Sequence, residues 1–308
     1  MAHERATMHL TIANRRKTGD VSPLDENRTF VQNQPMASQE TRAHAPSISP
    51  ARPLVERPAA VASLDVRQAY AHYLSTHFGG DIREGNESFL LQERYFQKNY
   101  LPHLPKQKDA RIVDLGCGLG HFLFFLQRAG YTNILGVDVG RECIDFCRAH
   151  GFPVVEEEII TYLQQPSEPV DAFILNDVLE HQTKDMMWRV LEGVRSRLAP
   201  GGIFLVKVPN VAHPLLGTDS RYLDITHEVG FNQNSLEQVL LMAGFTNVHV
   251  FGPDIYVTKN PLLNTVARGI ANALDALFYV MFKFYGRTET KIFRKNIIAV
   301  AHAPNARV

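Results

Sequence analysis

The chain has 308 residues, 45% of them hydrophobic, which suits one large globular domain or two small ones. Lysine plus arginine and aspartate plus glutamate each number 32, so the formal net charge is zero, and the composition excludes a strongly basic nucleic-acid-binding protein. The three cysteines are too few for a disulfide framework and wrongly spaced for a zinc site, and the N-terminus lacks the apolar run of a signal peptide, so we expect a cytoplasmic protein.

The first part of the chain divides into two segments by composition. Residues 1–60 are rich in Pro, Ser, Arg, Gln and Asn, with apolar residues scattered singly, which predicts a disordered tail. Residues 61–108 place apolar side chains at helical spacings, and we predict an N-terminal helical cap there. The remaining residues, 109–303, are predicted to form the main domain.

Short apolar strands alternate with helices through this main domain. Strands are predicted at 111–114, 134–138, 153–156, 171–175 and 203–208, with helices at 120–129, 141–149, 159–164 and 184–198 between them. Near-continuous apolar strands joined by helical crossovers predict a doubly wound α/β sheet. A helix over 235–243, with Asn234 as its expected N-cap, precedes two last strands at 246–250 and 296–301.

About 45 residues separate the last two strands, far more than the usual connection. In this insertion, residues 253–294, Asn260 and Pro261 predict the start of a helix. Its broad apolar face comprises Leu263, Val266, Ala267, Ile270, Leu274, Leu277, Phe278 and Met281, and its polar side Asn264, Arg268, Asn272, Asp275 and Lys283. One hypothesis packs this helix on its own domain or on a second copy, as in a homodimer. The other hypothesis places residues 261–285 in the interface at the inner face of a membrane. The helix would not span the membrane, because Arg268 and Asp275 interrupt its apolar sequence.

The first predicted strand runs directly into glycines on alternate positions, Gly116, Gly118 and Gly120. Such a turn lets the backbone approach a ligand without interference from Cβ atoms. Asp138 ends the second strand, 20 residues after Gly118, where a carboxylate can accept both hydroxyls of a ribose. The dinucleotide fingerprint needs its third glycine where this chain has His121, which weakens an NAD site. The pattern therefore predicts an adenosine-containing ligand other than a dinucleotide.

The segment that begins at Asp114 and reads Asp-x-Gly-x-Gly-x-Gly resembles motif I of the class I S-adenosylmethionine (SAM) methyltransferases. This resemblance implies SAM as cofactor and a Rossmann-like sheet of seven strands, mostly parallel with an antiparallel last strand, which here follows the helical insertion. The carboxylate of Asp114 would welcome the cationic amino group of SAM but would repel a pyrophosphate. By the same resemblance, the cofactor-binding residues are Asp114, Gly116, Cys117, Gly118, Gly120, Asp138, Val139, Glu158, Ile159 and Asn176.

The segment after the fourth strand, residues 176–181, resembles the Val-Leu-Glu-His segment of the ubiquinone-type O-methyltransferases, and this resemblance covers residues 85–250. In some of those quinone enzymes the corresponding residues bind a divalent cation, which would fall on Asp177, Glu180 and His181. A hard cation could lower the pKa of an acceptor hydroxyl. We favour the alternative, in which Glu180 and His181 cap and orient the loop and no metal is bound.

A polar stretch over residues 221–228 follows the fifth strand and resembles Asp-x-Thr-His loops in SAM-dependent methyltransferases of surface-glycan pathways. In a doubly wound sheet, such a loop lies beyond the carboxyl ends of the strands, where ligands bind. His227 is the candidate catalytic base because imidazole titrates near neutrality, with Asp224 to orient it and His181 as the next candidate. The candidate acceptor-binding residues are Arg221, Tyr222 and Asn210. The competing interpretation ties these groups to the loop's own backbone.

Three functions fit these patterns. The first is a SAM-dependent O-methyltransferase acting on a hydroxyl of a small-molecule or glycan acceptor, such as a sugar precursor. The second is O-methylation of a lipophilic quinol or other phenol, and the third is a SAM-binding protein without turnover. The polarity of residues 219–228 favours the sugar. A nucleic acid is not expected as a partner, because the sequence has no basic stripe and lacks, after the fourth strand, the Asn/Asp-Pro-Pro-Tyr/Phe segment that amino-methylating DNA enzymes usually carry.

Overall fold

A single mixed sheet of seven strands organises the part of the chain that the computed structural model describes, residues 86–255, 258 and 260–305. The predicted tail and residues 61–85 of the predicted cap lie outside the described residues. The strands are β1 (Ile112–Leu115), β2 (Ile134–Asp138), β3 (Val154–Glu156), β4 (Val170–Asn176), β5 (Leu198–Pro209), β6 (Thr246–Phe251) and β7 (Asn296–His302). Their order across the sheet is β3-β2-β1-β4-β5-β7-β6.

The strand directions confirm the predicted fold class. Strands β1 to β5 pair in parallel, whereas β7 runs antiparallel to both of its neighbours, β5 and β6. The helices are α1 (Asn86–Asn99), α2 (His121–Arg128), α3 (Arg141–Ala149), α4 (Ile159–Gln164), α5 (Lys184–Arg197), α6 (Gly217–Tyr222), α7 (Gln233–Met242) and α8 (Pro261–Phe284). Short 3₁₀ turns occupy Leu101–His103 and Leu179–His181.

The central strands are apolar on both faces because helices cover both sides of the sheet. Successive residues of β4 show this alternation: Phe173 and Leu175 enter one hydrophobic core, while Ala172 and Ile174 enter the other. All four are fully buried. Because β1 to β5 run in parallel, their carboxyl ends lie at one edge of the sheet, and the candidate site lies at this edge.

Three predicted boundaries differ from the structure. Helix α5 ends at Arg197, and β5 begins at Leu198 rather than 203, because Leu198 already pairs with Val170. Asn232, rather than Asn234, caps α7: its side chain accepts the Ser235 amide while the Ser235 side chain accepts the Asn232 amide. Part of the stretch expected to be a loop after β5 forms the short helix α6.

The predicted insertion helix is present as α8. Asn260 caps it, accepting hydrogen bonds from the amides of Leu262 and Leu263, as expected for an Asn-Pro start. Its buried residues are Asn264 and Phe278, so the side of the helix that carries these two residues faces the domain. Within the described ranges, no helix combines the length and apolarity needed to cross a bilayer.

Candidate active site

A cavity of about 620 Å³ opens beyond the carboxyl ends of the parallel strands. All of the predicted cofactor residues except Gly120 line it, namely Asp114, Gly116, Cys117, Gly118, Asp138, Val139, Glu158, Ile159 and Asn176. On its other side it is lined by Asp177, Glu180, His181, Ser220, Leu223, Asp224 and His227. The structure thus brings the predicted cofactor residues and the predicted base into one space.

The glycine loop approaches this cavity with its backbone exposed. Gly118 has a φ of +51° and lines the cavity, and a Cβ atom added there would meet nothing within 4 Å. Gly120 has a different role. It precedes α2 with a φ of +77°, and a Cβ atom there would lie 2.8 Å from the ring of Phe152. Gly120 therefore allows the turn to pack against the core, outside the cavity lining.

Asp114 ends inside the cavity as a buried carboxyl group. Its side chain is 2% exposed, and Oδ1 has no hydrogen-bond partner. Burial, and secondly the charge of Asp138, raise the pKa of Asp114 to about 7. A cationic amino group placed at this oxygen would relieve the desolvation of the carboxylate. This carboxyl oxygen without a hydrogen-bond partner fits the amino-acid end of SAM.

Asp138 holds the cavity wall together. Its two oxygens accept hydrogen bonds from the backbone amides of Gly118, at 2.8 Å, and Gly140, at 2.7 Å. Burial raises the pKa of Asp138, and these amides oppose that rise. Carboxylate oxygens accept more than one hydrogen bond, so the group can serve ribose hydroxyls while keeping the loop in place.

Asn176 is oriented by a residue that sequence reasoning did not assign to the site. The hydroxyl of Tyr100, a fully buried residue just after α1, donates to Oδ1 of Asn176 at 2.5 Å. This bond leaves the amide NH₂ of Asn176 as the donor end of the side chain. The sequence placed Tyr100 only as an apolar residue of the cap, because nothing local marks a contact 76 positions along the chain.

The acceptor side contains a chain of hydrogen bonds. The hydroxyl of Thr226 donates to Oδ1 of Asp224 at 2.7 Å, and the Thr226 amide donates to the same oxygen at 2.8 Å. Because that hydroxyl has only one proton, it accepts from Nδ1 of His181, 2.7 Å away. Nε2 is then the unprotonated nitrogen of His181. Burial, and secondly His227, lower the pKa of His181 to about 4, so its ring is neutral at pH 7.

His227 lies beside His181, with 4.6 Å between the ring centroids. Nδ1 of His227 lies 2.8 Å from the carbonyl oxygen of Ser220. A carbonyl can only accept, so Nδ1 carries the proton, and Nε2 of His227 is the basic nitrogen. In these tautomers Nε2 is the proton-accepting nitrogen of both rings, and both residues line the cavity.

Glu180 is the third ionisable group of this cluster. It is 2% exposed, and neither carboxyl oxygen has a hydrogen-bond partner. Burial, and secondly Asp177, raise the pKa of Glu180 well above its usual range. Glu180, His181 and His227 each offer a ligand atom within 4.8 Å of the others, so these three could hold a divalent cation. Asp177 of the predicted set instead pairs with Lys207, 2.6 Å away.

The three predicted acceptor-binding residues lie outside the cavity lining. Asn210 is fully buried, and its side chain bonds the backbones of Ile292, Arg294 and Ala212. The guanidinium of Arg221 donates to the backbone carbonyls of His227 and Glu228. Tyr222 is 72% exposed. Asn210 and Arg221 thus brace the loop, as the competing interpretation supposed.

Comparisons with known proteins agree with this geometry. Residues 90–250, more than half of the chain, match the family described as methyltransferase domain. Trans-aconitate 2-methyltransferase from Rhizobium leguminosarum bv. trifolii is 31% identical over 123 residues, covering 38% of this chain and 46% of that protein. The mitochondrial ubiquinone biosynthesis O-methyltransferase of Saccharomyces cerevisiae is 30% identical over 121 residues, covering 37% and 38%. The chain thus spans less than half the length of these curated relatives.

A solved structure shows the same fold. A SAM-dependent methyltransferase from Archaeoglobus fulgidus superimposes with a TM-score of 0.54 at 20% identity, covering 73% of this chain and 99% of that one. The family match confirms the methyltransferase assignment that the glycine turn and the acidic end of β2 predicted. The chain belongs to the methyltransferase domain family.

Proposed function

We propose that this protein is a cytoplasmic, SAM-dependent O-methyltransferase that methylates a hydroxyl of a sugar or glycan precursor. The observation that carries the proposal is that one cavity joins an orphaned carboxyl group, Asp114, with two imidazoles, His181 and His227. The first suits the ammonium of the cofactor, and the others suit removal of a proton from the acceptor.

The cofactor half binds and orients. SAM, when bound, supplies an electrophilic methyl group on a sulfonium sulfur. Asp114 would pair with its amino group, Asp138 would accept from the ribose hydroxyls, and Asn176 would donate its amide protons on the methionine side. Glu158 and Ile159, which line the cavity at the start of α4, would contact the adenine. Fixing the methyl group in line with the acceptor oxygen accounts for much of the rate enhancement in such a displacement.

The acceptor half removes a proton. Nε2 of His227 is the proposed base, because the Nδ1 proton is already committed to the Ser220 carbonyl. His181 is the proposed positioning residue beside it, held by Thr226 and Asp224. A carboxyl oxygen of Glu180 lies within 4.8 Å of a nitrogen of each ring, where it would accept a hydrogen bond from the imidazolium that forms at His227.

A lipophilic phenol or quinol is the second candidate acceptor. Leu223 lines the cavity although it is 71% exposed, so an apolar side chain at the surface would be available to a lipophilic acceptor. The similarity to a ubiquinone biosynthesis O-methyltransferase also supports this acceptor. A phenol ionises more easily than a sugar alcohol, and methylation would then depend less on His227.

The test is a turnover assay that measures S-adenosylhomocysteine (SAH) release from the purified protein with nucleotide sugars, quinols and trans-aconitate as acceptors. A nucleotide sugar that is turned over, with kcat lowered at least about a hundredfold in His227→Ala, supports the proposal. His249→Ala, an exposed histidine outside the cavity lining, is the matched control.

Other outcomes assign other functions. Turnover of a quinol alone would assign the phenol acceptor. Turnover of trans-aconitate that survives His227→Ala would assign a carboxylate acceptor, which needs no base. SAH binding without turnover of any acceptor would favour the non-catalytic SAM-binding function.

A further inference from the structure

Helix α8 packs on the domain through a stripe of polar and aromatic residues. The contacting residues recur at spacings of three and four, which places them on one side of the helix. Asp275 pairs with Arg294, 3.1 Å away, and the rings of Phe278 and Phe282 pack against Phe293, with ring centroids 6.0 and 4.8 Å from it. Asn264 is buried at the N-terminal end of the same stripe.

The opposite face of α8 is apolar and exposed. Phe284, at its C-terminal end, is 87% exposed. This outer face comprises Leu262, Leu263, Val266, Ile270, Leu274, Leu277, Val280, Met281 and Phe284. The sequence predicted the apolar stripe but placed Phe278 on it, whereas the structure turns Phe278 inward. Within the part of the chain that the structure describes, this apolar face stays exposed, and a contiguous exposed apolar face marks an interaction site.

Basic side chains flank the outer face at one end. Lys283, Arg287 and Lys291 are all exposed, beside the exposed aromatic side chains of Phe284 and Tyr285. The one acidic residue between Lys283 and Lys291 is Glu289. An apolar helix face with aromatic residues and a cationic flank complements an anionic lipid surface, which offers acyl chains below phosphate headgroups.

A second exposed apolar set begins near the inward side of α8. The ring of His213 lies 5.8 Å from that of the buried Phe278, and Nδ1 of His213 accepts the amides of Leu215 and Leu216. Leu215 is 69% exposed. The same segment continues through α6 to Leu223, an exposed residue that lines the cavity. Exposed apolar side chains thus occur both on α8 and on the segment that leads to the cavity.

We propose that the outer face of α8 docks on an anionic lipid bilayer surface, with the helix lying in the interface plane. Ile270 and Leu277 would enter the acyl boundary, and Lys283 and Arg287 would meet the headgroups. The docking itself does not depend on which acceptor is methylated.

Vesicle co-sedimentation of the full chain tests this proposal. We expect the protein to sediment with vesicles of phosphatidylcholine and phosphatidylglycerol, to bind pure phosphatidylcholine at least tenfold more weakly, and to be released by salt. The double variant Ile270→Glu, Leu277→Glu should lose at least tenfold in partitioning. The matched control, Leu241→Glu with Met242→Glu, changes two exposed apolar residues of α7 and should bind as the wild type does.

Two further measurements keep the outcomes separable. Circular dichroism and SAH titration show whether each variant is folded, and failure to bind SAH would count against the proposed function without affecting the vesicle result. Absence of wild-type binding to anionic vesicles, or binding unchanged by Ile270→Glu with Leu277→Glu, would overturn the proposal. A dimer that this double variant dissociates in light scattering, without vesicle binding by the wild type, would assign the face to a second copy of the chain.

Discussion

Nδ1 of His181 lies 2.7 Å from Oγ1 of Thr226, a residue 45 positions further along the chain, and the Thr226 hydroxyl donates a hydrogen bond to Asp224. This connection ties the 3₁₀ turn after β4 to the polar loop after β5. It fixes the tautomer of His181 and places the ring beside His227. The two segments that sequence patterns singled out separately thus line one cavity together, where we propose that the acceptor binds.

Replacing Thr226 tests the connection. Thr226→Val keeps the shape of the side chain but removes the hydroxyl, so His181 loses its acceptor and Asp224 loses one donor. We expect kcat to fall about tenfold, the equivalent of one hydrogen bond, while KM for SAM is unchanged. Steady-state assays check this. Thr226→Ser should restore most of the activity, and equal activity in Thr226→Val and the wild type would show that the chain of hydrogen bonds is not used.

The raised pKa of Asp114 predicts how cofactor binding depends on pH. Below a pH of about 7 the buried carboxyl holds a proton, which must leave before the group can pair with an ammonium. SAH affinity should therefore rise by up to about tenfold per pH unit towards pH 7 and level off above it. Calorimetric titration measures this. Asp114→Asn should bind SAH at least about tenfold more weakly at pH 8 and show a flat profile, whereas a sloping profile in this variant would place the titrating group elsewhere.

Two glycines of the same turn should respond differently to substitution. In Gly120→Ala, the added Cβ meets Phe152 and the backbone keeps a positive φ, so we expect a loss of about 2 kcal/mol in the free energy of unfolding, with SAH affinity retained. In Gly118→Ala, the Cβ enters open cavity, so strain of about 1 kcal/mol should accompany a clear loss of SAH affinity. Denaturant unfolding and calorimetry separate the two effects. Loss of SAH affinity in Gly120→Ala, with SAH affinity retained in Gly118→Ala, would contradict the roles given to these two glycines.

Metal removal tests the role of the Glu180, His181 and His227 cluster. Because His227 is the proposed base, EDTA treatment should leave turnover unchanged, and added Mg²⁺ or Zn²⁺ should not raise it. Inactivation by EDTA that Mg²⁺ or Zn²⁺ reverses would instead make these three residues metal ligands. The same turnover assay on Glu180→Gln provides the comparison, since this variant removes the carboxyl group while keeping the shape of the side chain.

The sequence predicted the fold, and it predicted that the proposed cofactor residues would lie around one cavity, because the signals for both are local. A glycine turn after an apolar strand, and an acidic residue at the end of the next strand, are placed by the strands themselves. The residues proposed to bind the acceptor were predicted less well. Arg221 and Asn210 looked like ligand-binding groups, yet both bind backbone atoms, and for Asn210 two of these atoms lie more than 80 positions away. Thr226 and Tyr100 had no assigned role, because their partners His181 and Asn176 are also distant in the sequence.

The insertion helix shows a different limit. Its apolar stripe was predicted from its period except for Phe278, but the period does not show whether a stripe faces the core or the surroundings. The Asp275 to Arg294 ion pair, which lies on the inward side, joins residues on separate segments and has no sequence signature.

Calorimetric titration of the wild-type protein with SAH, and separately with NAD, tests whether the cavity binds SAM rather than a dinucleotide. Micromolar binding of SAH, lost in Asp138→Ala and absent for NAD, is the predicted result, because the cavity combines the Asp114 and Asp138 carboxylates with a glycine turn that lacks the third dinucleotide glycine. Binding of NAD alone would contradict the assignment of the cavity to SAM. SAH binding that Asp138→Ala leaves unchanged would contradict the role proposed for Asp138.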